Sequence, residues 1–109
     1  MRNDRSLDPV MAAWLVDDNV WLARTAILHQ ERWGAATEPD WLFPACLTRA
    51  DDTEFFVPKA IGWALRSYSY VDPAAVERFV HDHDAELSGL SKREALKAIE
   101  RGRKRRADT

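Results

Sequence analysis

Apolar residues recur along this chain at intervals of three and four residues, the spacing that places them on one face of an α-helix. Val76, Phe79 and Val80 follow this spacing in one segment, and Ala95, Leu96 and Ile99 follow it in another. No stretch of the sequence shows the sustained alternation of apolar and polar residues that predicts a half-buried β-strand. The pattern therefore predicts an all-α fold.

Capping residues divide this pattern into about six helices. Asp8-Pro9 and Asp72-Pro73 each place a capping carboxylate before a proline, which suits the first helical position because its missing N–H would be unpaired there anyway. Hydroxyl and carboxyl side chains mark the other starts. The predicted starts lie near Asp8, Asp18, Thr37, Asp52, Asp72 and Ser91. Pro58 falls inside the fourth segment, so we expect a kink or a late helix start there.

One segment of the chain repeats another at an offset of 34 residues. Residues 17–27 and 51–61 both carry an acidic pair, an aromatic residue, two apolar residues and a closing Ala-Ile. A helix-pair repeat of this length is typical of HEAT-like α-solenoids, in which stacked helix hairpins bury a continuous core. The sequence thus predicts an α-α superhelix of about three HEAT-like helix pairs, with a single domain over residues 1–102 and a basic, disordered tail over 103–109.

Charge and composition narrow the class of protein. The net charge of the 109 residues is -2, but residues 92–109 carry eight basic and three acidic residues, which leaves +5 there and -7 before them. A basic end is a weak pointer to an anionic partner. No apolar run approaches the roughly 18 residues of a membrane helix, and the chain start lacks the apolar stretch of a signal peptide. We therefore expect a cytoplasmic protein with no membrane partner, in which the single cysteine, Cys46, is a small buried residue.

Arg24 is the first candidate for a binding role. Trp21 lies one turn before it and Leu28 one turn after it, so a permanent charge stands in an otherwise apolar stripe of the helix. In one interpretation, the aliphatic part of the Arg24 side chain packs on this stripe while its guanidinium reaches water or pairs with Glu31. In the other, the guanidinium faces a ligand.

Trp63 is the second candidate. Lys59 lies one helical turn before it and Arg66 one turn after it, so a large aromatic ring stands between two cations. Nucleic-acid recognition uses this combination, with cations holding the phosphates while a ring contacts sugar or base. The alternative is a tryptophan covered by the next repeat, with Lys59 and Arg66 at its rim.

Other motifs carry less chemistry. His81 and His83 are two residues apart and would point to nearly opposite sides of a helix, so we do not expect a metal site. The sequence has no Gly-rich phosphate loop, no GxSxG elbow and no Cys/His nucleophile pair. We expect neither a metal nor a cofactor.

Three segments of the chain resemble the C-terminal repeats of the bacterial DNA alkylation repair family of AlkD type. These segments are residues 18–28, 54–66 and 90–97, and the second contains the specific phrase Lys-Ala-Ile-Gly-Trp. Members of this family are HEAT-like DNA glycosylases that remove N3- and N7-alkylated purines. The resemblance implies that Arg24 and Trp63 line a concave lesion site, and that neighbouring basic residues, here Lys59 and Arg66, hold the DNA backbone.

The resemblance also implies that part of the family's site is not supplied by this chain. The family's catalytic aspartate comes from repeats that precede the matched region, and the internal repeat assigns Asp17 and Asp18 to a helix start. We therefore expect a relative that binds duplex DNA with N3- or N7-alkylated purines, has no catalytic residue of its own and shows little or no glycosylase activity alone. A complementary N-terminal fragment would be a further partner. The alternative is a helical-repeat protein–protein interaction module without a nucleic-acid role.

Overall fold

A computed structural model describes the backbone of residues 8–107 and the side chains of residues 9–31 and 33–103. Over this range the chain forms six α-helices and one 3₁₀ helix, Glu31–Ala36, and contains no strand, so the predicted all-α fold is confirmed. The α-helices are α1 Asp8–Leu15, α2 Val20–Leu28, α3 Pro39–Thr48, α4 Phe56–Ser69, α5 Pro73–Asp82 and α6 Gly89–Ala107.

Three of the predicted helix starts are found close to where the capping pattern placed them, and the first, Asp8, is the first residue of α1. Asp72 caps α5, because its Oδ1 accepts the backbone N–H of Ala75 at 3.0 Å and Pro73 takes the first helical position. At α2 the cap is Asn19 rather than Asp18. The Asn19 side chain accepts the backbone N–H of Trp21 at 2.9 Å.

The start of α4 is late, as Pro58 predicted. The helix begins at Phe56, which makes Pro58 its third residue and places its missing N–H among the first-turn groups that have no intrahelical partner. Asp52 does not cap this helix, and that prediction was wrong. Its carboxylate instead accepts the backbone N–H of Glu54 at 2.8 Å and pairs with Arg49, which closes the turn before the helix.

At two further starts the helix begins within two residues of the predicted position, but the predicted capping residue was wrong. The cap residue of α3 is Glu38, because the Thr37 hydroxyl is turned away and donates to the backbone carbonyl of Gln30 at 3.2 Å. At α6 the Ser88 hydroxyl accepts the backbone N–H of Ser91 at 3.0 Å, so the helix begins before Ser91. This helix continues to Ala107, and residues 103–107, where a disordered tail was expected, are helical. The domain boundary at residue 102 stays a prediction.

The helices pack in a row of three, with α4 between α2 and α6. Helix α1 covers α2, and α5 packs against both α4 and α6. The largest fully buried apolar side chains of this core are Ile27, Leu42, Val57, Ile61, Leu65 and Val76. Burial of each of these side chains stabilises the fold by roughly 1.5–3 kcal/mol. None of the described helices is long and apolar enough to cross a membrane.

Candidate nucleic-acid interface

Helix α4 has one buried face and one open face, and the open face lies between α2 and α6. Side chains on the open face recur at intervals of three or four residues and are half-buried or exposed. They are Phe56, Lys59, Trp63 and Arg66, and Tyr70, the C-cap residue of α4, continues the spacing. The spacing therefore brings three of the four predicted DNA-binding residues to one surface.

A carboxylate from the neighbouring helix α6 lies at the centre of this surface. Glu94 has a side chain that is only 8% exposed, and its Oε2 lies 2.9 Å from Lys97 Nζ and 3.4 Å from Lys59 Nζ. Its Oε1 accepts a hydrogen bond from Arg66 Nη1 at 3.3 Å. Among the described side chains, three cations thus meet one anion, and two positive charges remain in excess. We call these four residues the Glu94 cluster.

The Glu94 cluster holds its carboxylate in the charged form. The hydrogen bond from Lys97 lowers the pKa of Glu94 below its usual value, and the hydrogen bond and positive charge of Lys59 act in the same direction. Burial opposes this shift but does not reverse it. Glu94 is therefore ionised at neutral pH and keeps its cations in place.

Close approach of α4 and α6 brings Glu94 under these cations. A Cβ added at Gly62 would lie 2.5 Å from the Glu94 Cβ and 3.1 Å from the Ser91 carbonyl oxygen, so only glycine fits at this contact. The Ser91 hydroxyl donates to the carbonyl oxygen of Pro58 at 2.8 Å, which fixes the same two helices one turn away. Together these contacts set the position of the carboxylate relative to α4.

Trp63 lies beside the Glu94 cluster and is half-buried. Lys59 Nζ lies 5.5 Å from the centroid of the Trp63 ring, within the range of a cation–π contact worth roughly 0.5–1 kcal/mol. The same ammonium group therefore contacts both the tryptophan ring and the Glu94 carboxylate. The arrangement leaves part of the ring open to a ligand that approaches the cations.

Arg24 lies on α2, the helix next to α4, and is half-buried. Within the described residues it makes no hydrogen bond or ion pair with the Glu94 cluster, and the pairing with Glu31 that its spacing allowed is not formed. The ring of Trp21, one turn before Arg24, contacts the ring of Phe56 on α4 at a centroid distance of 5.0 Å. Arg24 thus lies on the helix whose Trp21 contacts the open face of α4, but it is not a member of the cluster.

The sequence pattern did not single out Glu94, Lys97 or Gly62. One signal was present: Gly62 stands in the middle of a helix, where glycine is unfavourable unless a close approach requires it. Its partner could not be known before the helices were packed.

Elsewhere, Cys46 is fully buried as expected, and burial raises the pKa of its thiol. Among the side chains of residues 9–31 and 33–103 no three His, Cys, Asp or Glu are grouped so that they could hold a metal ion.

The fold and this surface define an all-helical protein with a cationic, tryptophan-bearing face. A family model described as DNA alkylation repair enzyme matches residues 1–99. The chain is also similar to the structure of a protein from Enterococcus faecalis described as a predicted DNA alkylation repair enzyme, with 35% sequence identity and a TM-score of 0.77. That match covers 84% of this chain and 42% of the other, so the chain spans less than half the length of that relative. No curated protein matches. The chain belongs to the DNA alkylation repair enzyme family.

Proposed function

We propose that this chain binds duplex DNA containing N3- or N7-alkylated purines through the open face of α4 and its border with α6. The observation that carries the proposal is the Glu94 cluster, in which one buried carboxylate holds Lys59, Arg66 and Lys97 beside Trp63. Cations whose own spacing is fixed can meet the fixed spacing of phosphates without a further cost of ordering long side chains.

The carboxylate does not use up the binding capacity of its cations. An ammonium group has three N–H donors and a guanidinium has five, whereas each cation of the cluster makes one contact with Glu94. The side chains of Lys59, Arg66 and Lys97 remain 28%, 29% and 38% exposed. Their remaining donors can therefore bind phosphate oxygens while Glu94 stays in place.

Trp63 and Arg24 have separate roles in this proposal. The open part of the Trp63 ring packs against the sugars and the distorted backbone at the lesion, while Arg24 on α2 grips a phosphate beside it. The resemblance of the sequence to the family's C-terminal repeats supports both assignments, as does the position of Trp63 within the cationic surface.

Little or no glycosylase activity is proposed for the chain alone. Alkylation at N3 or N7 places positive charge on the purine and weakens the glycosidic bond, so an enzyme must mainly stabilise the developing positive charge on the sugar. A carboxylate is the natural group for this purpose. Glu94, the carboxylate at the centre of the cationic surface, is 8% exposed and already neutralised by three cations. It is therefore a poor stabiliser of a sugar cation.

The proposal also covers the HEAT-like helix pairs, a partner chain and the cellular location of the protein. The row of α2, α4 and α6 supports the HEAT-like helix pairs expected from the repeat. A complementary chain that carries further N-terminal repeats is proposed to supply the family's catalytic aspartate, as the resemblance of residues 18–28, 54–66 and 90–97 to the family's C-terminal repeats implies. We also place the protein in the cytoplasm, where bacterial DNA is found.

The test combines binding and base release on one duplex containing N7-methylguanine. We expect duplex binding that weakens by roughly 100-fold between about 50 and 200 mM salt, because the four proposed cations would contact about four phosphates. We expect base release no faster than in buffer alone. Robust base release that Arg24→Ala abolishes would contradict the proposed inactivity, and no duplex binding at low salt would favour a protein-interaction module instead. Arg78→Ala, on the exposed surface of α5, is the matched control.

A further inference from the structure

Three basic side chains follow one another along one side of α6. Arg93, Lys97 and Arg101 are spaced by four residues, so each lies about 6 Å along the helix and roughly 40° around it from the one before. Arg93 and Arg101 are exposed, and all three side chains line one open surface pocket together with Glu100. We call these three cations the α6 stripe.

The α6 stripe borders the open face of α4. Lys97 belongs to both surfaces, because its Nζ lies 2.9 Å from Glu94 Oε2 and the same oxygen lies 3.4 Å from Lys59 Nζ of α4. A different side of α6 meets α5, where Arg103 pairs with Glu77. The stripe therefore continues the cationic surface along about 12 Å of α6, on the side next to α4.

Two cations of the stripe have no anion of their own. Among the described side chains, Arg93 and Arg101 form neither a hydrogen bond nor an ion pair with any other residue. Glu100 lines the same pocket but, in this part of the chain, pairs with neither of them. Even when Lys97 is counted with Glu94, two positive charges face one negative charge there, and this excess favours an anionic ligand.

The position of the stripe favours one anionic ligand, the phosphate backbone of a duplex. Duplex DNA carries a phosphate per ~1.7 Å of its axis when both strands are counted, so a segment as long as the stripe offers several phosphates. A guanidinium without a partner can bind one of them through two parallel N–H···O bonds. A duplex held at the Glu94 cluster lies next to the stripe, which shares Lys97 with the cluster.

We propose that Arg93 and Arg101 bind backbone phosphates on either side of the phosphate held by Lys97. Glu100 lies beside these contacts and weakens them by repelling the same phosphates. The inference rests on the proposed function and adds two phosphate contacts to it. Because phosphate contacts carry no information about the bases, the stripe acts equally on damaged and undamaged DNA.

The experiment measures duplex binding by fluorescence anisotropy between about 50 and 200 mM salt. The four cations of the proposed function alone give a loss of roughly 100-fold over this range, and two further phosphate contacts raise the loss to roughly 1,000-fold. Arg93→Ala and Arg101→Ala should each reduce the slope of log K against log salt concentration by about 0.9. The double variant should reduce it by about twice as much. Arg78→Ala, which removes an exposed arginine of α5, is the matched control and should leave the slope unchanged.

Three further measurements address charge and position. Arg93→Lys and Arg101→Lys keep the positive charge and should keep the slope of the wild type. Glu100→Gln should tighten duplex binding by about 1.5- to 5-fold, the range expected for one exposed charge pair. Each alanine variant should weaken binding to a duplex with N7-methylguanine and to its undamaged counterpart by the same factor.

The outcomes separate this inference from the proposed function. Absence of duplex binding by the wild type would overturn both. A loss of only 100-fold that Arg93→Ala and Arg101→Ala leave unchanged would overturn the α6 stripe alone. The same holds if these variants leave the duplex slope unchanged but abolish binding of a poly-glutamate peptide, because the stripe would then hold an acidic protein segment. Circular dichroism confirms that each variant is folded, as expected for exposed side chains.

Discussion

Glu94 of α6 packs so closely against Gly62 of α4 that a Cβ at position 62 would lie 2.5 Å from the Glu94 Cβ. Real Cβ atoms do not approach each other this closely, so the contact requires glycine. The same approach places the Glu94 carboxylate within 3.4 Å of Lys59 and 3.3 Å of Arg66. The close packing of α4 and α6 therefore also assembles the cationic surface.

The first prediction concerns Gly62→Ala. In the interior of a helix, replacing glycine by alanine ordinarily stabilises a protein by roughly 0.5–1 kcal/mol. At position 62 the added methyl group would push α6 away from α4, so we expect a loss of about 1–3 kcal/mol in the free energy of unfolding, measured with urea. Gly102→Ala is the matched control, because nothing lies within 4 Å of a Cβ there. Equal effects of the two substitutions would show that the close contact does not exist in solution.

The second prediction concerns the pH dependence that Glu94 gives to stability. Because its pKa is lower in the folded chain than in the unfolded chain, its contribution is fully present above the unfolded value of about 4.3. That contribution is lost as the pH falls from there through the lower folded value. Urea unfolding at a series of pH values should therefore show a loss of stability in this window for the wild type, and a smaller loss for Glu94→Gln.

At neutral pH Glu94→Gln should also lower the free energy of unfolding, because three cations then face each other without an anion between them. We expect about 1–2 kcal/mol, less than for a fully buried pair, since the cations are 28–38% exposed and water screens their repulsion. Glu100→Gln on the exposed side of α6 is the control and should change stability by less than about 0.5 kcal/mol. Identical pH profiles for wild type and Glu94→Gln would contradict the assigned role.

The third prediction concerns the cap of α5. Asp72→Ala removes the carboxylate that accepts the Ala75 N–H at 3.0 Å, which should lower the free energy of unfolding by roughly 0.5–2 kcal/mol. Asp51→Ala removes an exposed carboxylate that does not cap a helix and should have little effect. Chemical denaturation of both variants measures this difference. An Asp72→Ala protein as stable as the wild type would show that the Asp72 cap does not stabilise α5.

The cap of α5 also shows which parts of the fold are readable from sequence. Asp72-Pro73 and the late start at Pro58 depend on hydrogen bonds within a few residues, so local rules predicted both. Asp52 looked like a cap by the same rules. It was not one, because its carboxylate is taken up by Arg49 and by the turn at Glu54, and neither competing contact is visible in a capping pattern.

The candidate surface could be predicted only in part, because local patterns show contacts within one helix but not contacts between helices. Lys59, Trp63 and Arg66 lie on one helix, and helical spacing alone places them on one face. Glu94 comes from another helix, 28 residues after Arg66 in the chain, and its contact depends on how α4 and α6 pack. Sequence reasoning therefore found two of the three cations, Lys59 and Arg66, but missed Lys97 and the carboxylate that positions them.

The fourth prediction concerns the salt dependence of duplex binding. Each phosphate contact releases counterions, so removing one cation that binds phosphate should reduce the slope of log K against log salt concentration by about one. We expect this change for Lys59→Ala, Arg66→Ala and Lys97→Ala, measured by fluorescence anisotropy with a labelled duplex. Arg78→Ala, on the exposed surface of α5, should leave the slope unchanged.

Trp63→Ala should behave differently from the three cation variants. Loss of the ring removes contacts with sugar and backbone but no positive charge, so duplex affinity should fall while the salt slope stays within experimental error of the wild type. A reduced slope would mean that Trp63 acts by holding Lys59, whose Nζ lies 5.5 Å from its ring, rather than by contacting DNA. Unchanged affinity together with an unchanged slope would remove Trp63 from the interface, and the cations of the Glu94 cluster would then account for binding without it.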